Sequence, residues 1–186
     1  MRVEDALQAN MKDKRYMDEL SLNWKEMISR DVIQINGVID NVLSRLQPHP
    51  NLKQLSIKYP GVTFPDWLGD PSFLNLGSLE LSGCENCSTL PPLGQLPCLE
   101  HLEISNMKGV ARVGSEFYGN SFSSLQPCFP SLQTLIIFIH GQLGDMVMLW
   151  RQTWRIPSSP EAFYVELSQT HWGITNTPSS IEETLP

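Results

Sequence analysis

The chain has 186 residues, 41% of them hydrophobic, which is room for one domain with a sizeable core. Its net charge is −7, and between Pro48 and Phe138 there are four Lys/Arg against seven Asp/Glu, so no basic stripe for nucleic acid or an anionic membrane exists there. Met1 to Ala6 is polar with no apolar core of a leader, and the most apolar stretch, Leu135 to Trp150, is broken by His140, Gln142 and Asp145. No membrane span is expected from it, since a spanning helix needs about 18 or more apolar residues. A cytoplasmic chain is therefore expected, with its four cysteines reduced and the Asn86-Cys87-Ser88 sequon a chance match.

In chain order, Glu4 to Arg15 has helical spacing at Ala6, Leu7, Asn10 and Met11, with Lys12, Lys14 and Arg15 where a helix C-terminus favours cations. Met17 to Leu22 predicts a strand. Asp31 to Leu46 carries a helical stripe of Val32, Ile35, Val38, Ile39, Val42, Leu43 and Leu46, stopped by Gln47-Pro48-His49-Pro50. A unit of the form Leu-x-x-Leu-x-(Leu/Ile) then occurs four times, at Leu52–Ile57, Leu76–Leu81, Leu99–Ile104 and Leu132–Ile137. The first residues of these units are 24, 23 and 33 positions apart, and the weaker copy Met17–Leu22 lies 35 positions before the first. Such a period marks a leucine-rich-repeat solenoid, in which each repeat supplies one short strand and buries its apolar face only against its neighbours.

The expected fold is therefore α/β: an open arc of five parallel strands pairing in sequence order, with irregular or helical convex returns. Phe64, Trp67 and Leu68 fill one return and Leu90, Leu93 and Leu96 the next, while prolines 60, 65, 71, 91, 92 and 97 disfavour regular helices there. Strand alternation places Gln54, Ser56 and Lys58, then Ser78, Glu80 and Ser82, then His101, Glu103 and Ser105 on the exposed concave side, followed by Thr134 and Ile136. The nine from Gln54 to Ser105 are the candidate partner-binding residues. Residues 1–138 form the expected repeat fragment. Residues 139–186 contain three of the five tryptophans but no further unit, and are expected to be a divergent, partly disordered tail.

Several segments are more specific than periodicity. Val3 to Asn10 with Leu20 to Trp24, Leu46 to Lys53, Phe64-Pro65-Asp66-Trp67-Leu68-Gly69-Asp70, Leu90-Pro91-Pro92-Leu93-Gly94-Gln95-Leu96-Pro97, Gly114 to Asn120 and Phe129-Pro130-Ser131-Leu132 closely resemble the leucine-rich-repeat region of plant intracellular disease-resistance proteins. These are the coiled-coil, nucleotide-binding, leucine-rich-repeat immune receptors. The resemblance covers roughly residues 3 to 137. It implies a recognition module that binds a pathogen effector, a guarded host protein or the receptor's own nucleotide-binding module. No Gly-x-x-x-x-Gly-Lys-(Ser/Thr) loop occurs, so no cofactor is expected and the family's ATP/ADP-binding module is absent from this sequence. From Ile139 the resemblance stops, as in a truncated gene product with a tail from an altered frame or a retained intron. The same residues suit a freestanding regulator or decoy that pairs with full-length receptors, or a non-functional gene fragment.

Catalytic chemistry finds no footing in the motifs. There is no Gly-x-Ser-x-Gly, His-Glu-x-x-His or dinucleotide fingerprint. Cys84-x-x-Cys87 followed by Cys98-x-x-His101 has the spacing of a zinc site, but Cys84 follows its strand and Cys98 precedes the next, too far apart for one metal or one disulfide. Cys84 is expected to be a buried ladder thiol beside backbone. His101 is expected to form a weak surface pair with Glu103. Leu135 to Ile139, apolar on both faces, is expected to end the array as an uncapped edge.

Overall fold

The computed structural model describes residues 3–24, 32–110, 113–123, 128–141 and 144–151. Six strands form one sheet in sequence order: β1 Glu19–Asn23, β2 Gln54–Lys58, β3 Ser78–Ser82, β4 His101–Ser105, β5 Thr134–Gly141 and β6 Gly144–Arg151. Strands β1 to β5 are parallel and in strict repeat register, with Ser21, Ser56, Glu80, Glu103 and Ile136 aligned in one row.

Each strand begins two residues later than its Leu-x-x-Leu unit, for a backbone reason. One carbonyl of every repeat accepts two successive N–H groups of the next. Asp18 O takes Lys53 N and Gln54 N at 2.9 and 3.0 Å, and Lys53 O takes Gly77 N and Ser78 N at 2.9 and 3.1 Å. Gly77 O takes Glu100 N and His101 N, and Glu100 O takes Gln133 N and Thr134 N. The first leucine of each unit (Leu52, Leu76, Leu99, Leu132) therefore lies in the turn before this fork, buried, and anchors the chain as it enters the sheet. At the far end, Gly83 and Asn106 occupy equivalent positions just past β3 and β4 with φ of 80° and 55°. Glycine adopts that left-handed turn freely and asparagine tolerates it.

Two apolar ladders line the inner side of the sheet: Leu20, Leu55, Leu79, Leu102 and Leu135, then Leu22, Ile57, Leu81, Ile104 and Ile137. Burying one such side chain contributes about 1.5–3 kcal/mol relative to exposure, so the stack supplies the stability. The return after β1 is a regular helix, α2 Val32–Arg45, which packs beside α1 Val3–Ala9. The proline-rich returns after β2 and β3 form only short 3-10 turns, Asp66–Gly69 and Leu93–Gln95. Trp67, Leu68, Leu90, Leu93 and Leu96 fill them as expected and Phe64 packs partly buried against them. The helix expected over Glu4 to Arg15 stops early, because Asn10 turns left-handed (φ 44°) and donates to the Asp13 carboxylate at the head of a 3-10 turn, Met11–Asp13.

A polar knot joins α2 to the turn after β2. The Asp40 carboxylate accepts from the Tyr59 hydroxyl, from Val62 N at 3.2 Å and from Thr63 Oγ1 at 3.3 Å. Tyr59 also donates toward Thr63 O at 3.0 Å, and its ring packs against Trp24 and Phe64. Burial first, then the bond to Asp40 and the charge of that residue, hold the Tyr59 phenol far above its ordinary pKa, so it remains a donor. Asp40→Ala is expected to cost about 1–3 kcal/mol in urea unfolding, and Tyr59→Phe about 1 kcal/mol. The double variant should lose less than the sum of the two, as a double-mutant cycle would show.

The five expected parallel strands form in sequence order, and a sixth strand follows them. It corrects one expectation: the Leu135–Ile139 segment is not a bare edge, because β6 pairs antiparallel along the whole of β5 from Thr134↔Arg151 to Gly141↔Gly144. Only two residues separate Gly141 from Gly144, and so short a link can join antiparallel strands but never parallel ones. The sheet thus crosses the 138/139 division. The rest of the expected tail, from residue 152 onward, lies outside the described residues.

Candidate functional site

The concave face is a grid set by strand alternation and parallel register. Its first row is Glu19, Gln54, Ser78, His101 and Thr134; its second is Ser21, Ser56, Glu80, Glu103 and Ile136; its third is Asn23, Lys58, Ser82, Ser105 and Phe138. All nine candidate partner-binding residues, Gln54 to Ser105, stand on this one face and none is buried. Along each strand the intervening positions are the ladder residues, buried in β2 to β5, with Leu22 of β1 partly buried.

The grid is polar across β1 to β4 and apolar at its β5 end, where Ile136 and Phe138 are half-buried. Glu80 and Glu103 are register partners on exposed sites, about 4.8 Å apart in the strand-pairing direction. Ser56 Oγ donates to Glu80 Oε2 at 3.0 Å, which steadies the first carboxylate from the side opposite Glu103. Two adjacent carboxylates repel each other unless a cation lies between them. The expected His101–Glu103 pair does not form. His101 Nε2 instead lies 4.0 Å from Glu100 Oε2, because Glu100 sits in the turn before β4, where strand alternation has not begun, whereas Glu103 is two residues further along the strand. Lys58 adds the one cation of the grid, at the outer end of β2.

Beyond the strand ends, the rim carries a second polar cluster. Glu85 bonds Lys108 Nζ at 2.9 Å and Asn106 Nδ2 at 3.3 Å, tying the turn after β3 to the turn after β4. The Lys108 bond, followed by the Asn106 bond and the Lys108 charge, holds the Glu85 carboxyl below its ordinary pKa against a smaller cost of burial. A lowered folded-state pKa means that this tie is complete above the ordinary carboxylate range and is lost as pH falls through the lowered value. A carboxylate-resolved NMR titration should accordingly find Glu85 protonating below the ordinary glutamate range, and Lys108→Ala should move it back up.

Cys84 is buried beside backbone as expected, its Sγ lying 3.1 Å from the Gly61 carbonyl oxygen. It is not a free thiol, however. It is bonded to Cys87, three residues on, with Cα atoms 5.4 Å apart, so the expectation of four reduced cysteines is corrected for this pair. A turn that folds both sulfurs against one carbonyl brings them into bonding range, a proximity that CxxC spacing permits in any compartment. Cys98 and Cys128 keep their thiols. Cys98 sits before β4 and Cys84 after β3, so a strand of five residues, about 16 Å, lies between them.

Comparison with known proteins agrees with this geometry. Residues 1–107, which include β1 to β4, match the family described as R13L1/DRL21 LRRs. The chain belongs to that leucine-rich-repeat family. It is 38% identical over 142 residues to "Putative disease resistance RPP13-like protein 1" of Arabidopsis thaliana, covering 72% of this chain and 13% of that protein. It is 35% identical over 147 residues to "Putative disease resistance protein RGA1" of Solanum bulbocastanum (78% and 14%), and 33% identical over 149 residues to "Disease resistance protein RGA2" of the same species (77% and 15%). The chain thus spans a small fraction of the length of these relatives. No solved structure matches it. Among the described residues, no helix is long and apolar enough to cross a membrane.

Within this leucine-rich-repeat chain the grid extends further than the candidate residues did. Glu19, Ser21 and Asn23 of β1 are exposed and in register with the β2 positions, and Phe138 completes the third row. The same alternation rule, carried on into the weak Met17–Leu22 copy, would have found the first three. The Glu85–Asn106–Lys108 rim carried no motif and emerges only from turn geometry.

Proposed function

We propose that this chain is a protein-recognition module of a plant disease-resistance receptor, acting through its concave face and catalysing nothing. The observation that carries the reading is the grid itself: five parallel strands in register that align half-buried Ser56 with exposed Glu80 and Glu103. A flat polar surface with an acidic centre suits a partner that presents Lys or Arg. The names of the relatives support the defence setting. The resemblance offers three kinds of partner: a pathogen effector, a guarded host protein, or a nucleotide-binding module of a receptor. Neither a bound nucleotide nor another cofactor is required for this role, and the setting it implies is the cytoplasm.

Pull-down from plant extract with the wild type and with Glu80→Lys plus Glu103→Lys tests the reading. The expected result is one or more specific partners recovered with the wild type, lost with the double variant and weakened by salt. Recovery that ignores both the substitutions and the salt would exclude this face.

A further inference from the structure

The Cys84–Cys87 pair lies at a junction of three successive repeats, and the recognition grid makes no use of it. Both residues are fully buried. On one side their sulfurs converge on a single acceptor, the Gly61 carbonyl oxygen in the turn after β2, at 3.1 and 3.9 Å. On the other side the same turn touches the repeat that follows: a Cβ added at Gly109 would fall 2.4 Å from Cys87 O, so backbone packs on backbone there. Glu85, between the two cysteines, holds Lys108 and Asn106. The Gly61–Val62 peptide is correspondingly held from both ends. Its N–H donates to Asp40, and its C=O faces the two sulfurs.

These contacts have different consequences in the two redox states. As thiols, Cys84 and Cys87 each carry a proton, and the Gly61 carbonyl, with two lone pairs, is the acceptor both can reach. As a disulfide, neither sulfur has a proton to donate, and that carbonyl loses its partners on the sulfur side. We propose that Cys84 and Cys87 form a reversible dithiol–disulfide pair, reduced to staple its turn to the Gly61–Val62 peptide of the preceding repeat and oxidised to release it. The oxidant is a small-molecule disulfide such as oxidised glutathione. One thiolate attacks its S–S bond and expels one glutathione thiol; the second cysteine then attacks the mixed disulfide and expels the other. Two electrons pass to the glutathione, whose two thiols carry off the two protons, and the Cys84–Cys87 bond forms. Because both sulfurs are buried, exchange proceeds through local opening of this turn.

The test uses the full chain with Cys98→Ser and Cys128→Ser, so that no other thiol reports. The protein is equilibrated across ratios of reduced to oxidised glutathione, trapped by alkylation, and the peptide carrying residues 84–87 is weighed. In parallel, amide exchange of Val62 is followed by NMR. The expected result is a single two-electron transition, with the Val62 amide exchanging roughly threefold to tenfold faster in the oxidised form, the range one net hydrogen bond supplies. A further Cys84→Ser plus Cys87→Ser change should retain slow exchange and abolish the redox dependence, since a hydroxyl also donates. If that variant does not fold, the parent titration decides alone. A pair that stays reduced at every ratio, one that stays bonded in excess dithiol, or a Val62 amide indifferent to the transition would each overturn the proposal.

Discussion

Leu79→Ala or Leu102→Ala is expected to destabilise the chain by about 2–5 kcal/mol, read as a lower midpoint in urea unfolding with an unchanged slope. Each side chain is 1% exposed, and each is clamped between ladder neighbours, Leu79 between Leu55 and Leu102, and Leu102 between Leu79 and Leu135. The cavity left by either truncation has no loop to collapse into, because both walls are strands fixed by backbone pairing. With total stabilities of about 5–15 kcal/mol for single domains, one such change removes a large share. Ser82→Ala, on the opposite face of the same strand, should stay within about 0.5 kcal/mol of wild type. In the double Leu variant the two losses should couple, since the residues share one packing layer. Equal small effects on both faces would mean that the ladder does not carry the stack.

Glu80→Lys with Glu103→Lys is expected to give the largest change in binding. At about 0.5–1 kcal/mol for each exposed pair, reversing two attractions to a basic partner totals about 2–4 kcal/mol, a weakening of roughly 30- to 1,000-fold at low salt. The single reversals should each give about half of that free energy. The gap between wild type and double variant should narrow as ionic strength rises and the screening length shrinks from about 30 Å at 0.01 M to about 8 Å at physiological salt. Isothermal titration with the partner recovered from extract measures both the loss and its salt dependence.

Most of the sheet was legible in the sequence because Leu-x-x-Leu-x-(Leu/Ile) encodes both halves of the strand at once. The leucines that face the ladder necessarily turn Ser78, Glu80 and Ser82 the other way, so the candidate face followed from the same residues as the core. Strand ends were less legible: the fork at Lys53 O or Gly77 O is a backbone arrangement that side-chain spacing does not mark. The antiparallel β6 was missed because its segment lacks the repeat unit, and a hairpin link of two residues is a weak signal beside a 23- to 33-residue period. The Cys84–Cys87 bond was missed for a different reason. The same spacing serves zinc, thiols and disulfides alike, and the choice depends on how the turn folds against Gly61. His101 shows the limit of alternation as a guide: its neighbour in space, Glu100, lies just outside the strand where the rule applies.

The most direct test is carboxylate footprinting of the free and the partner-bound chain, using carbodiimide labelling read residue by residue in a mass spectrometer. Glu80 and Glu103 are exposed on the concave grid, while Asp66 and Glu116 are exposed on 3-10 segments of the returns. On binding, labelling of Glu80 and Glu103 is expected to fall severalfold while Asp66 and Glu116 stay unchanged. Protection of Asp66 and Glu116 with Glu80 and Glu103 unchanged would place the partner on the convex side and contradict the account.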